Sequence, residues 1–157
     1  MVLPPSKSHA MRWITLASMD ENPTTITMNE IGEDVAALLD NLQLLGLGWD
    51  GRTMKGGRIT PSNVNLDCKN SGTALRFLIG QVSTLDDETV LVGDSSLQVR
   101  SSLPLLKCLG IDYQFVGENH LPVKVKGSFS KKLQGRRNCR CIQRVLSKRP
   151  TSLQENI

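Results

Sequence analysis

Three short stretches of this chain combine residue types suited to holding a polyanion. The first is Ser6-Lys7-Ser8, followed by Arg12; the second is Asn70-Ser71-Gly72-Thr73, followed by Arg76; the third is Gly93-Asp94-Ser95-Ser96, followed by Arg100. Where helices begin at such places, the first backbone N–H groups have no intrahelical partner and sit at the positive end of the helix dipole. Hydroxyl and amide side chains add donors, Gly72 lets a ligand come close to the backbone, and an Arg one turn in can grip a carboxylate or phosphate through paired N–H groups. Each feature taken singly has a plainer explanation. Ser and Asn are ordinary helix caps, an Arg in a first turn is commonly a solvated charge, and Asp34 at a helix start favours the dipole. Recurrence strengthens the anion reading, because Arg12 and Arg76 stand at the same phase of a repeat. His9 and His120 show no partner pattern of a triad or metal site, and Trp13, Trp49 and Tyr113 read as core or edge packing.

The elements that must position these groups follow from hydrophobic spacing. His9 to Met19 puts Met11, Ile14, Leu16 and Ala17 on one side of a helix entered through a Ser. Thr24 to Met28 is a short β-prone run. Glu33 to Leu45 carries Val35, Leu38, Leu39, Leu42 and Leu45 on one stripe, opens on two acids and stops at Gly46, as an amphipathic helix with a C′ glycine does. Leu47 to Asp50, Arg58 to Thr60 and Val64 to Cys68 read as short strands between Gly and Pro punctuation. A shift of 64 residues then lays Ala10 on Ala74, Arg12 on Arg76, Ile14 on Leu78, Thr25-Ile26 on Thr89-Val90, Leu39 on Leu103, Leu42 on Leu106, Leu45 on Leu109, Gly46 on Gly110 and Trp49 on Tyr113. Helix stripe, helix stop and strand agree at one shift, which marks a duplicated supersecondary unit. Each unit is expected to run strand, helix, strand, helix, strand, strand, its helices covering a sheet, so the fold class is α/β.

The chain has 157 residues, the size of one ordinary domain or of part of a larger one. With 39% hydrophobic, 22% charged and 4% aromatic residues, it fits neither a disordered polyelectrolyte nor an aromatic-rich single-strand binder. Its apolar runs are too short for a membrane span, and Met1-Val2-Leu3-Pro4-Pro5 lacks the character of a signal peptide, so a cytoplasmic setting is expected. Cys68, Cys108, Cys139 and Cys141 follow no common zinc spacing and are expected as reduced thiols. The net charge of +4 is unevenly spread: residues 131–157 hold eight basic residues and one acid, leaving eleven basic and fourteen acidic residues in 1–130. A third repeat is due near Ser130, but Leu133 to Arg149 lacks a comparable apolar stripe. This tail reads as a disordered extension or as translation of a shifted frame. Its charge also leaves open a rival function, a basic-tailed nucleic-acid-binding module.

In order and spacing, Leu3-Pro4-Pro5-Ser6-Lys7-Ser8-His9-Ala10-Met11-Arg12, Asn70-Ser71-Gly72-Thr73-Ala74-Leu75-Arg76-Phe77 and the stretch from Gly93-Asp94 to Arg100 resemble the N-terminal part of the 5-enolpyruvylshikimate-3-phosphate (EPSP) synthases. The Pro-Pro-Ser-Lys-Ser opening is most similar to archaeal-type members. The resemblance covers residues 1 to about 127. It implies a 3-phosphoshikimate 1-carboxyvinyltransferase of aromatic amino acid biosynthesis, which moves the enolpyruvyl group of phosphoenolpyruvate to the 5-hydroxyl of shikimate 3-phosphate without a cofactor or metal. It also implies an inside-out α/β barrel of six βαβαββ units. About two are present here, units 2–65 and 66–129 within a partial upper domain spanning 1–130, with 131–157 as the basic tail.

The same resemblance assigns roles. Lys7 is implied as catalytic and in contact with both substrates, Ser8 and Arg12 join it on shikimate 3-phosphate, and Gly72, Thr73 and Arg100 join it on phosphoenolpyruvate. Asp34, Asn70 and Arg76 are implied as supporting residues. Ser96 and Ser101 depart from the Arg and Pro that many members have around the last motif. The UDP-N-acetylglucosamine transferases share the fold, but their opening usually reads Lys-Asn where this chain has Lys7-Ser8. The family's later Ser-Ser-Gln segment, its acid/base carboxylates and a second phosphoenolpyruvate lysine have no counterpart here. The implied partner is therefore a missing C-terminal half of the same enzyme, and the chain alone is not expected to turn over.

Overall fold

The structure, a computed structural model, describes residues 6–60, 65–100 and 103–126. Met1–Pro5 and the tail from residue 131, with Cys139 and Cys141, lie outside the described residues. Helix α1 (Lys7–Ser18) buries Ala10, Met11, Ile14, Ala17 and Ser18. Leu16, expected in that stripe, is 59% exposed instead. Two residues beyond Ile14 is a rotation of about 200°, which turns a side chain to the opposite face of a helix. Strand β1 (Thr24–Thr25) is shorter than the β-prone run. Helix α2 (Glu33–Leu44) buries Val35, Leu38, Leu39 and Leu42 as its stripe requires. Strands β2 (Gly48–Trp49) and β3 (Thr53–Lys55) make a hairpin, and β1 pairs with β3, giving an antiparallel sheet in the order β1-β3-β2. Arg58 to Thr60, expected as a strand, is not one. Thr60 instead straps the end of α2, its N–H and hydroxyl both donating to the Leu45 carbonyl at 2.9 and 3.2 Å.

The second half comprises β4 (Leu66–Asp67), α3 (Gly72–Val82), β5 (Glu88–Val92), the one-turn helix α4 (Ser95–Gln98), α5 (Leu103–Leu109), β6 (Asp112–Phe115) and β7 (Val123–Lys126). Its sheet runs β4-β5-β7-β6, with β4 parallel to β5 and the remaining pairs antiparallel. The run β5-β7-β6 repeats β1-β3-β2. Trp49 pairs with Met54 as Tyr113 pairs with Val125, so the second hairpin is longer between equivalent pairs by seven residues. The helix ends repeat atom for atom. After α2, Gly46 at φ +89° donates to the Gln43 carbonyl and Leu47 to that of Leu42; after α5, Gly110 at φ +65° donates to Lys107 and Ile111 to Leu106. These paired bonds close a helix through a left-handed C′ residue, which glycine adopts without a Cβ penalty.

One continuous core joins the two halves. Helix α2 packs against both α1 and α3. Buried Asn41 of α2 donates to the Ala37 carbonyl and, across to β4, to the Asp67 carbonyl at 2.8 Å. Gln81 of α3 donates to the Ser18 hydroxyl of α1 at 2.7 Å, so the first helices of the two halves are tied at a buried polar contact. Cys68 is fully buried, and burial pushes its thiol up to about 12, the state of an unreactive core residue.

Candidate anion-binding site

The turn from β4 into α3 builds one wall. Lys69 takes a left-handed backbone at φ +49°, held by its N–H on the Asp67 carboxylate at 2.8 Å and by the Asp94 N–H on its own carbonyl at 2.9 Å. Ser71 caps α3, its hydroxyl oxygen accepting from the Ala74 N–H at 3.2 Å and its carbonyl from Leu75. The cap leaves the N–H groups of Gly72 and Thr73, the first two of the helix, without an intrahelical partner. Gly93 lies so close over this turn that a Cβ there would meet the Lys69 carbonyl oxygen at 2.9 Å. Asp94 then opens α4 by accepting from the Leu97 N–H at 3.1 Å and from the Ser96 hydroxyl at 2.8 Å. The helix is one turn long, and its end returns the chain so that Arg100 arrives beside Gly72. A Cβ on Gly72 would stand 3.3 Å from one guanidinium nitrogen of Arg76 and 3.9 Å from one of Arg100.

The opposite wall comes from two other helix starts. Lys7 opens α1, Asp34 lies in the first turn of α2, and the two form an ion pair at 2.7 Å. The Asp34 carboxyl is held below the usual carboxylate range, first by the Lys7 hydrogen bond, then by the Ser71 hydroxyl, with the Lys7 and Arg100 charges adding to this against partial burial. Ser71 therefore serves α3 as its cap and α2 as a partner of its acid.

Lys7, Asp34, Asn70, Gly72, Thr73, Arg76 and Arg100 line one open cleft of about 240 Å³. Three cations face a single carboxylate, which the nearest cation already pairs. The guanidinium of Arg76 donates to the Gly72 carbonyl at 3.0 Å, a bond within its own helix that orients it over the cleft. With two free helical N–H groups, an amide and a hydroxyl added, the arrangement suits a ligand carrying phosphate and carboxylate charge.

The structure thus brings seven of the nine sequence-predicted residues together and leaves two aside. Ser8 is exposed on α1 and Arg12 half-buried there; neither lines the cleft, and Arg12 makes no hydrogen bond or ion pair with the described residues. In the third motif, Asp94 and Ser96 serve the cap of α4, and Arg100 alone reaches the cleft. Sequence reasoning named Ser71 only as part of a helix mouth and missed its service to Asp34. No spacing rule links Lys7 to Asp34, which are 27 residues apart.

A sequence model of the family EPSP synthase (3-phosphoshikimate 1-carboxyvinyltransferase) matches residues 1–138. A 3-phosphoshikimate 1-carboxyvinyltransferase of Methanocorpusculum labreanum is 40% identical over 113 residues, which cover 68% of this chain and 27% of that protein. One of Caldicellulosiruptor bescii is 34% identical over 139 residues, covering 82% and 32%. Among solved structures, the EPSP synthase of Acinetobacter baumannii matches with a TM-score of 0.73 and 29% identity, over 82% of this chain and 32% of that one. The expected α/β fold of the enolpyruvyl transferases is borne out by this likeness. The chain spans less than a third of the length of these relatives.

Proposed function

We propose that this chain, which belongs to the EPSP synthase family, forms one wall of the active site of a 3-phosphoshikimate 1-carboxyvinyltransferase. The observation that carries the proposal is the single cleft in which Lys7, Arg76 and Arg100 face one another across the free N–H groups of Gly72 and Thr73. Both substrates of the named reaction are multiply charged anions. In this reading Arg100, Gly72 and Thr73 take phosphoenolpyruvate, Lys7 touches both substrates, Ser8 and Arg12 take the shikimate side, and Asn70 and Arg76 support. Asp34 positions the Lys7 ammonium.

Transfer of the enolpyruvyl group requires a proton delivered to the methylene of phosphoenolpyruvate, a proton removed from the 5-hydroxyl of shikimate 3-phosphate, and departure of phosphate. The cations of the cleft would bind the reactants and stabilise the charge that builds on the departing phosphate. The acid/base groups would come from the rest of the enzyme, so the functional partner is a polypeptide holding the length this chain does not span. Residues 1–130 are read as part of one domain of that assembly, and 131–157 as dispensable for binding. A cytoplasmic setting belongs to the same proposal; no described helix is long and apolar enough to cross a membrane.

Calorimetric titration of phosphoenolpyruvate into the full chain tests this. Saturable binding that weakens with added salt is expected, and Arg76→Ala and Arg100→Ala should each weaken it about tenfold or more, as loss of a charge-assisted contact does. Binding that neither substitution changes would overturn the assignment.

A further inference from the structure

The duplicated topology allows α1 to be compared with α3 position by position. On α3, Phe77 is half-buried against the core, Gly80 is half-buried and Ser83 is fully buried. The residues 64 positions earlier on α1 are Trp13, Leu16 and Met19 at its end, which are 49%, 59% and 66% exposed. They are spaced three apart, so they form one patch along the helix. The larger, more apolar set is the exposed one, the reverse of what burial preferences dictate for a finished surface.

The neighbours of the two helices account for the difference. Against α3 packs α2, the second helix of the preceding unit. Against α1 the described residues place its own unit's α2 and the following α3, and no helix of a preceding unit. At the other end of the array, α5, the counterpart of α2, has no comparable helix packed against it among the described residues. The unit-to-unit contact that α2 makes with α3 is therefore left open on both sides.

We propose that the Trp13, Leu16 and Met19 face of α1 is an interface, and that its occupant is the second helix of a further βαβαββ unit carried by a separate polypeptide. That helix would present an apolar stripe of the kind Leu38, Leu39 and Leu42 form on α2. The proposal rests on the functional reading for the identity of this polypeptide: relatives at 27% and 32% coverage have the length to supply it. Other occupants fit less well. The stretch from Leu133 to Arg149 lacks a leucine stripe, and a second copy of this chain has its α2 stripe buried already.

The test is co-expression of the full chain with the part of the Methanocorpusculum labreanum relative that this chain does not match. A one-to-one complex is expected, with Trp13 and Met19 protected from hydroxyl-radical oxidation. The double variant Leu16→Glu, Met19→Glu, at two exposed positions, should keep the circular dichroism of the chain and weaken the complex at least tenfold. Absence of a complex, or a complex the double variant leaves intact, would overturn the proposal. So would self-association of the chain that protects the same residues, since the occupant would then be a second copy. Phosphoenolpyruvate binding read on the same samples separates the two ideas: its absence from an intact complex strikes the functional reading and leaves the interface standing.

Discussion

At the scale of single residues, the Lys7 and Asp34 pair is where structure changes chemistry most directly. The Asp34 pKa is lowered on folding, so its stabilising effect is present above the ordinary carboxylate range and is lost as pH falls through the lower folded-state value. Lys7 is 61% exposed and solvent screens the pair, so the effect is small, about 0–1 kcal/mol. Urea denaturation should therefore find Asp34→Asn slightly less stable than the parent at pH 7, with the gap closing once Asp34 is protonated; a gap that widens in acid would contradict the ion pair. Gly72→Ala probes geometry instead. Its Cβ would crowd the Arg76 guanidinium at 3.3 Å, and that is the far end of a flexible side chain. Stability should change by less than about 1 kcal/mol, while phosphoenolpyruvate affinity falls as Arg76 is displaced. The residue types at Asn70, Gly72 and Arg100 announced an anion site from sequence alone, because their donors are intrinsic to them. Which acid held Lys7 was not readable, since the partner arrives from another helix.

At the scale of elements, the two helix ends make a matched experiment. Both Gly46 and Gly110 have positive φ, but a Cβ at Gly46 would also meet the Thr60 hydroxyl oxygen at 2.6 Å. Gly46→Ala and Gly110→Ala should each lower stability by about 1 kcal/mol or more through the left-handed backbone alone. Gly46→Ala should lose more, by thermal denaturation, because the strap at Thr60 must also move. Asn at position 110 should recover part of the loss, as it tolerates that conformation. The α2 helix was legible because its stripe, acids and stop all agree. The Thr53–Lys55 strand was not, because three residues between two glycines carry no alternation to read. Leu16 was misplaced by counting apolar residues without following their rotation.

At the scale of the whole molecule, a positive cleft is only part of what enolpyruvyl transfer needs. Positioned acid and base groups typically contribute about 10²- to 10⁴-fold each, and orienting two reactants up to about 7–11 kcal/mol. Phosphate release from phosphoenolpyruvate and shikimate 3-phosphate by the purified chain should stay at background. Turnover by the chain alone that Lys7→Met abolishes would show that the acid and base are already on board. Removal of residues 131–157 should leave phosphoenolpyruvate affinity within about twofold, because screening at a Debye length of about 8 Å confines charge effects to near neighbours.

The sequence by itself determined the duplication, the helix stops and the three motifs that carry donors and cations. Those are local properties: side-chain type, rotation per residue and the φ a glycine permits, all readable along one strand of chain. Tertiary structure alone decided that three separate helix starts converge on one cleft, that Arg100 enters it while Arg12 stays on the flank, and that α1 keeps an uncovered apolar face. Those outcomes depend on how α1, α2 and α3 pack against one another, and packing is set by contacts between residues far apart in sequence, to which no spacing rule gives access.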